Sequence, residues 1–415
     1  MKTLCFILGI VLVVASLFAP WLDSPVGRDV NGLRLSALGD ATAASGVGAY
    51  GVVTGILVVL AIVVRRQPAD RLLCWLGLAL LMVALCVPLG IAFGNPERLR
   101  TLTLENEQYR KIVEFSTAYL PLNRGTEPTF WPKLDLSTVW NRFVSAWYFV
   151  SVGWYGLAVG AAAVFGVGLT YLSRARSRWA IVAQGVVAAA IFTTLFVSAP
   201  LRAQRSINRA LVLRAEGKLP EAIAGFEEAM ARDAWWQVGP EVPRQIGELH
   251  EVLGRRNTGE FQMYNGYQLE RQNRVPAALF AYQQAAQEPA TRKIGQREAA
   301  RLKVEEGLRF YRNGVIEAAI SSWRDAIRAD TRQLQAFYYI ARAHYDSASY
   351  PAAIEANVLL LTRVSSKIVQ ANLHSNLGDC YQKQEQFVQA RAEYERSKTL
   401  DSAQNFRSWM GLVGN

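Results

Sequence analysis

The sequence predicts an all-α protein in two parts: five membrane-crossing helices over residues 1–200, then a soluble α-solenoid of paired helices over residues 201–415. Two observations carry this. A spanning helix needs about 20 mostly apolar residues, and five such stretches fill the first half: Leu4–Trp21, Ser45–Val64, Leu72–Phe93, Ala146–Leu172 and Trp179–Ala199. The second half has none. It repeats a small residue, an Ala 12 positions later, and a large residue four beyond that.

The hydrophobic fraction of 51% averages two unlike halves. The formal charge of +11 does not point to nucleic acid, because no Lys/Arg-rich run is interleaved with aromatics. Of the four cysteines, Cys5, Cys74 and Cys86 fall in spans and Cys380 in the repeats. With no CxxC and no Cys/His cluster, neither a metal site nor a disulfide framework is expected. Cys380 reads as a small core residue.

The short loops set orientation, since Lys and Arg are retained on the cytoplasmic side. Arg65, Arg66 and Arg71 join the second and third spans; Arg174, Arg176 and Arg178 join the fourth and fifth; Lys2 precedes the first. All fall on one side of a five-span chain. Loop 22–44 and the long loop 94–145 are then external, as is the C-terminal half. Arg202, Arg205, Arg209 and Arg214 oppose this, but long domains translocate largely regardless of charge. The first span is read as an uncleaved anchor, because Pro20 would follow a cut after Ala19.

Small residues crowd the spans. Gly48, Gly51 and Gly55 share a face of the second, and Gly153, Gly156, Gly160, Gly166 and Gly168 lie in the fourth. Such residues let helices approach closely, within the bundle or against a second membrane protein. Trp21, Trp140, Trp147 and Trp179 lie near span ends, as in an interfacial belt. The spans carry no ionisable residue of the kind a proton or ion path needs, which argues against a pump. In loop 94–145, Leu102, Leu104, Tyr109, Ile112, Val113, Phe115 and Tyr119 suggest one amphipathic helix before Pro121, Pro128 and Pro132 break the pattern. Phe130, Trp131 and Trp140 are expected on the membrane surface or against the soluble domain.

The repeat pairs are Ala210/Ala222, Gly266/Ala278, Gly307/Ala319, Ala341/Ala353 and Gly378/Ala390. The large residues are Phe226, Tyr282, Trp323, Asn357 and Tyr394. A small residue on one helix lets its partner approach, and the large residue fills the groove opposite. Gly217 and Gly314 mark turns within pairs, and Trp235–Asn257 reads as an insert with an extra helix.

Gly307 and Ala341 are 34 residues apart, and Leu377-Gly378-Asp379-Cys380-Tyr381 is followed by Ala390 and Tyr394. This resembles the tetratricopeptide repeat (TPR) over roughly Ala203–Ser402, in about five units. The resemblance implies a TPR-like α-solenoid whose first helices line a concave groove. On that template Tyr267, Tyr311, Tyr338, Arg342, Tyr345, Asp379 and Gln382 face the groove. Tyr and Arg are enriched at binding hot spots, so the groove is expected to take a protein partner. The competing reading is that these residues cover the stacking surface or contact the external loop.

No nucleotide-binding, hydrolase or metalloprotease motif is present, and no cofactor is expected. The expected function is a non-catalytic bacterial inner-membrane scaffold, embedded in the lipid bilayer, presenting a periplasmic TPR array within an envelope complex. One alternative is an accessory subunit of a membrane enzyme or transporter, docking through the helix bundle. A more remote one is a lipid-linked-sugar glycosyltransferase with Asp23 or Asp29 as its catalytic carboxylate.

Overall fold

A computed structural model describes residues 2–22, 30–31, 49–65, 70–94, 96–119, 134, 136–172, 175–364 and 367–400. They form 18 α-helices and a short two-stranded ribbon. The chain divides into two compact units. The first comprises Met1–Ser24, Asp29–Leu102 and Leu134–Asn208; the second comprises Pro25–Arg28, Thr103–Lys133 and Arg209–Asn415.

The first unit begins with α1 (Lys2–Phe18), strands β1 (Pro20–Leu22) and β2 (Val30–Asn31), α2 (Ala49–Arg65) and α3 (Asp70–Leu89). A π-helical turn, Gly90–Gly94, continues α3. α4 (Pro96–Tyr119) follows and is divided between the units. Then come α5 (Val139–Trp147), α6 (Val152–Tyr171) and α7 (Ala175–Ala215), which is also divided between the units.

Every stretch read as a span contains a helix, and among the described residues three helices are long and apolar enough to cross a membrane: Leu72–Gly94, Val152–Thr170 and Trp179–Ala215. Three spans are therefore supported, and the fuller expectation of five is not confirmed. α1 and α2 have 17 residues each, a rise of about 25 Å against a hydrocarbon core of about 30 Å. α1 stops short because Pro20 opens β1, which pairs antiparallel with β2. The fourth span starts later than expected, since Tyr148–Ser151 separates α5 from α6. There Val150 bridges Leu22, and the Ser151 amide donates to Trp21 O at 2.9 Å. Trp21, expected in an interfacial belt, is instead buried, its indole donating to Ser16 O at 2.6 Å.

α6 is the hub of this unit, and its glycines are why. A Cβ on Gly160 would lie 2.7 Å from Gly9 O on α1, and one on Gly168 would lie 2.8 Å from Cys74 N on α3. Gly77 on α3 returns the contact, with its Cβ position 2.6 Å from the Phe165 backbone. Pro88 has no N–H to give the Ala84 carbonyl one helical turn earlier. The Trp154 indole supplies that bond across the α3–α6 seam at 2.7 Å.

The second unit is built from hairpins. The end of α7 pairs in sequence with α8 (Leu219–Arg232), and a short α9 (Trp235–Val238) and α10 (Glu241–Val252) are inserted next. The remaining pairs are α11 (Gly259–Arg271) with α12 (Val275–Ala285), α13 (Arg292–Arg312) with α14 (Ile316–Ala329), α15 (Leu334–Asp346) with α16 (Tyr350–Leu361), and α17 (Lys367–Lys383) with α18 (Phe387–Leu400).

Each hairpin turns the same way. Two residues past each first helix the backbone is left-handed: Gly217, Asn273, Gly314, Ala348 and Glu385, with φ between 57° and 77°. The small anchors meet the large residues as the spacing requires. A Cβ would lie 2.7 Å from the Tyr282 ring at Gly266, 2.4 Å from the Trp323 indole at Gly307, and 2.5 Å from the Tyr394 ring at Gly378. At the positions opposite Phe226 and Asn357 the anchors are Ala210 and Ala341.

Candidate functional site

The residues assigned to one groove fall into three groups. Tyr267 on α11 has the Arg244 guanidinium 4.6 Å and the Arg271 guanidinium 5.9 Å from its ring centre. Arg244 also pairs with Glu298 at 3.1 Å, and Glu298 with Arg301, which reaches Glu270 at 2.6 Å. At the other end, Asp379 and Gln382 accept bonds from the Tyr394 hydroxyl at 2.6 and 3.1 Å. They therefore tie α17 to α18. Cys380 beside them is fully buried, and burial pushes its thiol up to about 12.

The central group lies on α13 and α15. The Tyr311 hydroxyl donates to Asp346, which Arg342 also engages, Nη2 at 2.8 Å and Nε at 3.1 Å. The Arg342 guanidinium lies 5.1 Å from the Tyr345 ring centre, and Tyr345 meets Tyr350 edge-on at 5.6 Å. Burial first, and then Asp346, raises the Tyr311 phenol above its usual range. Burial depresses Arg342, but the Asp346 charge and hydrogen bonds outweigh it, so the guanidinium stays charged.

Tyr338, assigned to the groove, is only 1% exposed. What covers it is α4. Tyr109, Ile112 and Phe115 of that helix join one apolar cluster with Tyr311, Leu334, Tyr338 and Tyr339. The Phe115 ring sits 5.7 Å from Tyr311, 6.3 Å from Tyr338 and 4.5 Å from Tyr339. Such tilted and edge-on ring pairs contribute beyond their buried area. Gln108, one turn before Ile112, is also buried. Its Nε2 donates to Arg332 O at 2.9 Å, and its Oε1 accepts from Leu334 N at 2.9 Å. Tyr339 OH reaches Lys111 O at a longer 3.4 Å, and burial raises its phenol, with Glu114 adding to the effect.

Tyr311 and Tyr338 therefore line an aromatic recess filled by the chain's own helix. Gln108, Phe115 and Tyr339 are its unforeseen members. The amphipathic face of α4 was visible in the sequence, but nothing in the repeat period says what that face meets. Among the described residues no three His, Cys, Asp or Glu side chains are grouped to hold a metal ion.

Of the glycines read as a packing face in the second span, Gly55 has nothing within 4 Å of its Cβ position. Gly51 lies in α2, and Gly48 lies outside the described residues, as do Asp23, Asp29, Phe130 and Trp131.

No protein-family model matches the chain, and no curated protein matches it. Several solved structures are similar over half of it. YrrB, "a TPR protein with an unusual peptide-binding site", is 13% identical over 49% of this chain and 89% of its own, with a TM-score of 0.26. PilF of Pseudomonas aeruginosa is 13% identical over 51% and 98%, TM-score 0.29. A thermophilic TPR protein of Thermus thermophilus is 18% identical over 51% and 99%, TM-score 0.24. The recurring hairpin, its small-residue-to-ring contact and its left-handed turn give the second half of this chain a fold that resembles the tetratricopeptide repeat.

Proposed function

We propose that this chain is a non-catalytic scaffold of the bacterial inner membrane, holding its TPR array on the periplasmic side to recruit a protein partner into an envelope complex. The observation that carries the reading is the aromatic recess of α13 and α15. It already accommodates a helix through rings and a side-chain amide, the means by which one protein recognises another. The membrane anchor rests on three apolar helices of spanning length. The orientation rests on the arginines of the two short loops.

The test is purification from host membranes in mild detergent. Tyr338→Ala with Arg342→Ala should abolish recovery of the co-purifying protein while insertion and helix content persist. A reporter fused after Asn415 should be active only if exported. Cytoplasmic activity there would overturn the orientation.

A second reading is favoured by one observation: Gly55 has open space beside it, and Val186, Val187, Ile191 and Leu195 of α7 are exposed. An accessory subunit would use such faces against another membrane protein. In that case recovery survives the recess changes and fails on Gly51→Leu or Gly55→Leu.

A further inference from the structure

The recess has a polar feature that an apolar core does not need. Gln333 forms a tight turn at the start of α15, in which Leu334 N also reaches Arg332 O at 2.9 Å. The side chain of Gln333 provides no cap, although the first amides of a helix need partners. Both ends of this turn, the Arg332 carbonyl and the Leu334 amide, face α4. A primary carboxamide is the matched group, because it offers one donor and one acceptor side by side. Gln108 supplies it. Ile112 and Phe115, four and seven residues on, share its helical face and fill the apolar part.

Two ion pairs of α4 run along the helix and not into the recess, Lys111 with Glu107 at 3.0 Å and Arg110 with Glu114 at 4.0 Å. The recess satisfies its own charges in the same way, through Tyr311, Asp346 and Arg342. Separating the two exposes rings, the Gln108 amide, the Arg332–Leu334 turn and the Tyr339 hydroxyl to water without breaking any of these ion pairs.

We propose that the α13–α15 recess is a helix-binding site whose resident occupant, α4, is displaced by a partner helix with the same face: a carboxamide, then an aliphatic residue four positions on and an aromatic residue seven positions on. This rests on the scaffold reading and makes partner binding a competition with an internal helix. A partner then sees only the fraction of molecules whose recess is open, and its apparent affinity is reduced by that fraction.

The test uses the full chain in detergent and a fluorescein-labelled synthetic peptide of residues 103–119. Gln108→Glu keeps the shape but loses the donor facing Arg332 O, and Phe115→Ala removes the ring. The chain carrying both should bind the peptide at least about tenfold more tightly than wild type. A peptide with Gln108→Glu should bind that variant at least about tenfold more weakly. Equal binding by wild type and variant, or no binding by a variant of wild-type helix content, overturns displacement.

Should the variant fail to fold, hydrogen exchange on wild type decides. Saturating peptide, distinguished by its mass label, should speed exchange in the chain's own 103–119 segment; unchanged exchange overturns the proposal. Peptide failure with partner recovery from host membranes intact removes displacement alone. Partner recovery indifferent to the Tyr338→Ala/Arg342→Ala pair removes the scaffold reading itself.

Discussion

Gly307→Ala should destabilise the array even though alanine is the better helix former. The added Cβ would sit 2.4 Å from Trp323 Nε1 and 2.5 Å from its Cδ1. The indole has no free direction in which to retreat. It donates to Val304 O at 3.1 Å, and its ring centre stands 5.9 Å from Tyr311 and 5.4 Å from Tyr339. Overpacking of this kind costs about 1–3 kcal/mol, and a strained or lost indole bond costs about 1 kcal/mol more. Replacing an interior helical glycine returns about 1 kcal/mol. The net is a loss of about 1–3 kcal/mol, against a gain of about 1 kcal/mol were the site open. The sign alone is therefore informative. Trp323→Phe, with the smaller ring, should relieve part of the clash. The double change should be better than additive by about 1 kcal/mol or more, the range expected of contacting residues. Denaturant unfolding of the full chain in detergent, with hydrogen exchange across 292–329, measures the cycle. An unchanged or more stable Gly307→Ala, or an additive cycle, would refute the assignment of this contact as the reason for glycine.

Other tests address the turns, the phenols and the bundle. Ala348 is left-handed at φ 57°, which costs a non-glycine residue about 1–2 kcal/mol. Ala348→Gly should stabilise by about 0.5–1 kcal/mol after the backbone entropy of glycine is subtracted, and a lower thermal midpoint would contradict this. Tyr311 and Tyr339 have phenols raised by burial, so the folded chain holds these protons more tightly than the unfolded chain does. Their contribution is complete below the ordinary value of 10.0 and is lost as pH climbs past it. Denaturation midpoints should fall above pH 10 and fall less in Tyr339→Phe; equal slopes would discount the burial of that hydroxyl. Gly160→Leu should disrupt α1–α6 packing, since even its Cβ would approach Gly9 O to 2.7 Å, whereas Gly166, with nothing within 4 Å, should tolerate Leu. Identical detergent stability in the two variants would deny the close approach.

What the sequence made legible follows the range of each interaction. Gly307 and Trp323 belong to one hairpin, so periodicity alone could pair them, and the same holds for Gly378 with Tyr394. Gly217 and Gly314 announced their turns because glycine favours positive φ. Asn273, Ala348 and Glu385 hold the same conformation without that signature, and the hairpin fold imposes it on them. The repeat template placed Tyr311 and Tyr338 on the groove face, but a template cannot name what lies opposite. The answer is a helix whose Gln108 stands 226 residues before the amide it binds. Gln108 was also hidden by its chemistry. A glutamine beside Glu107 and Arg110 reads as part of a solvated face, and only the tight turn before Leu334 gives its amide a buried use. The array is thus encoded locally, hairpin by hairpin. The occupancy of its recess is encoded by a single face of α4, where the Gln108 amide answers the turn before Leu334 and Tyr109, Ile112 and Phe115 fill the apolar part.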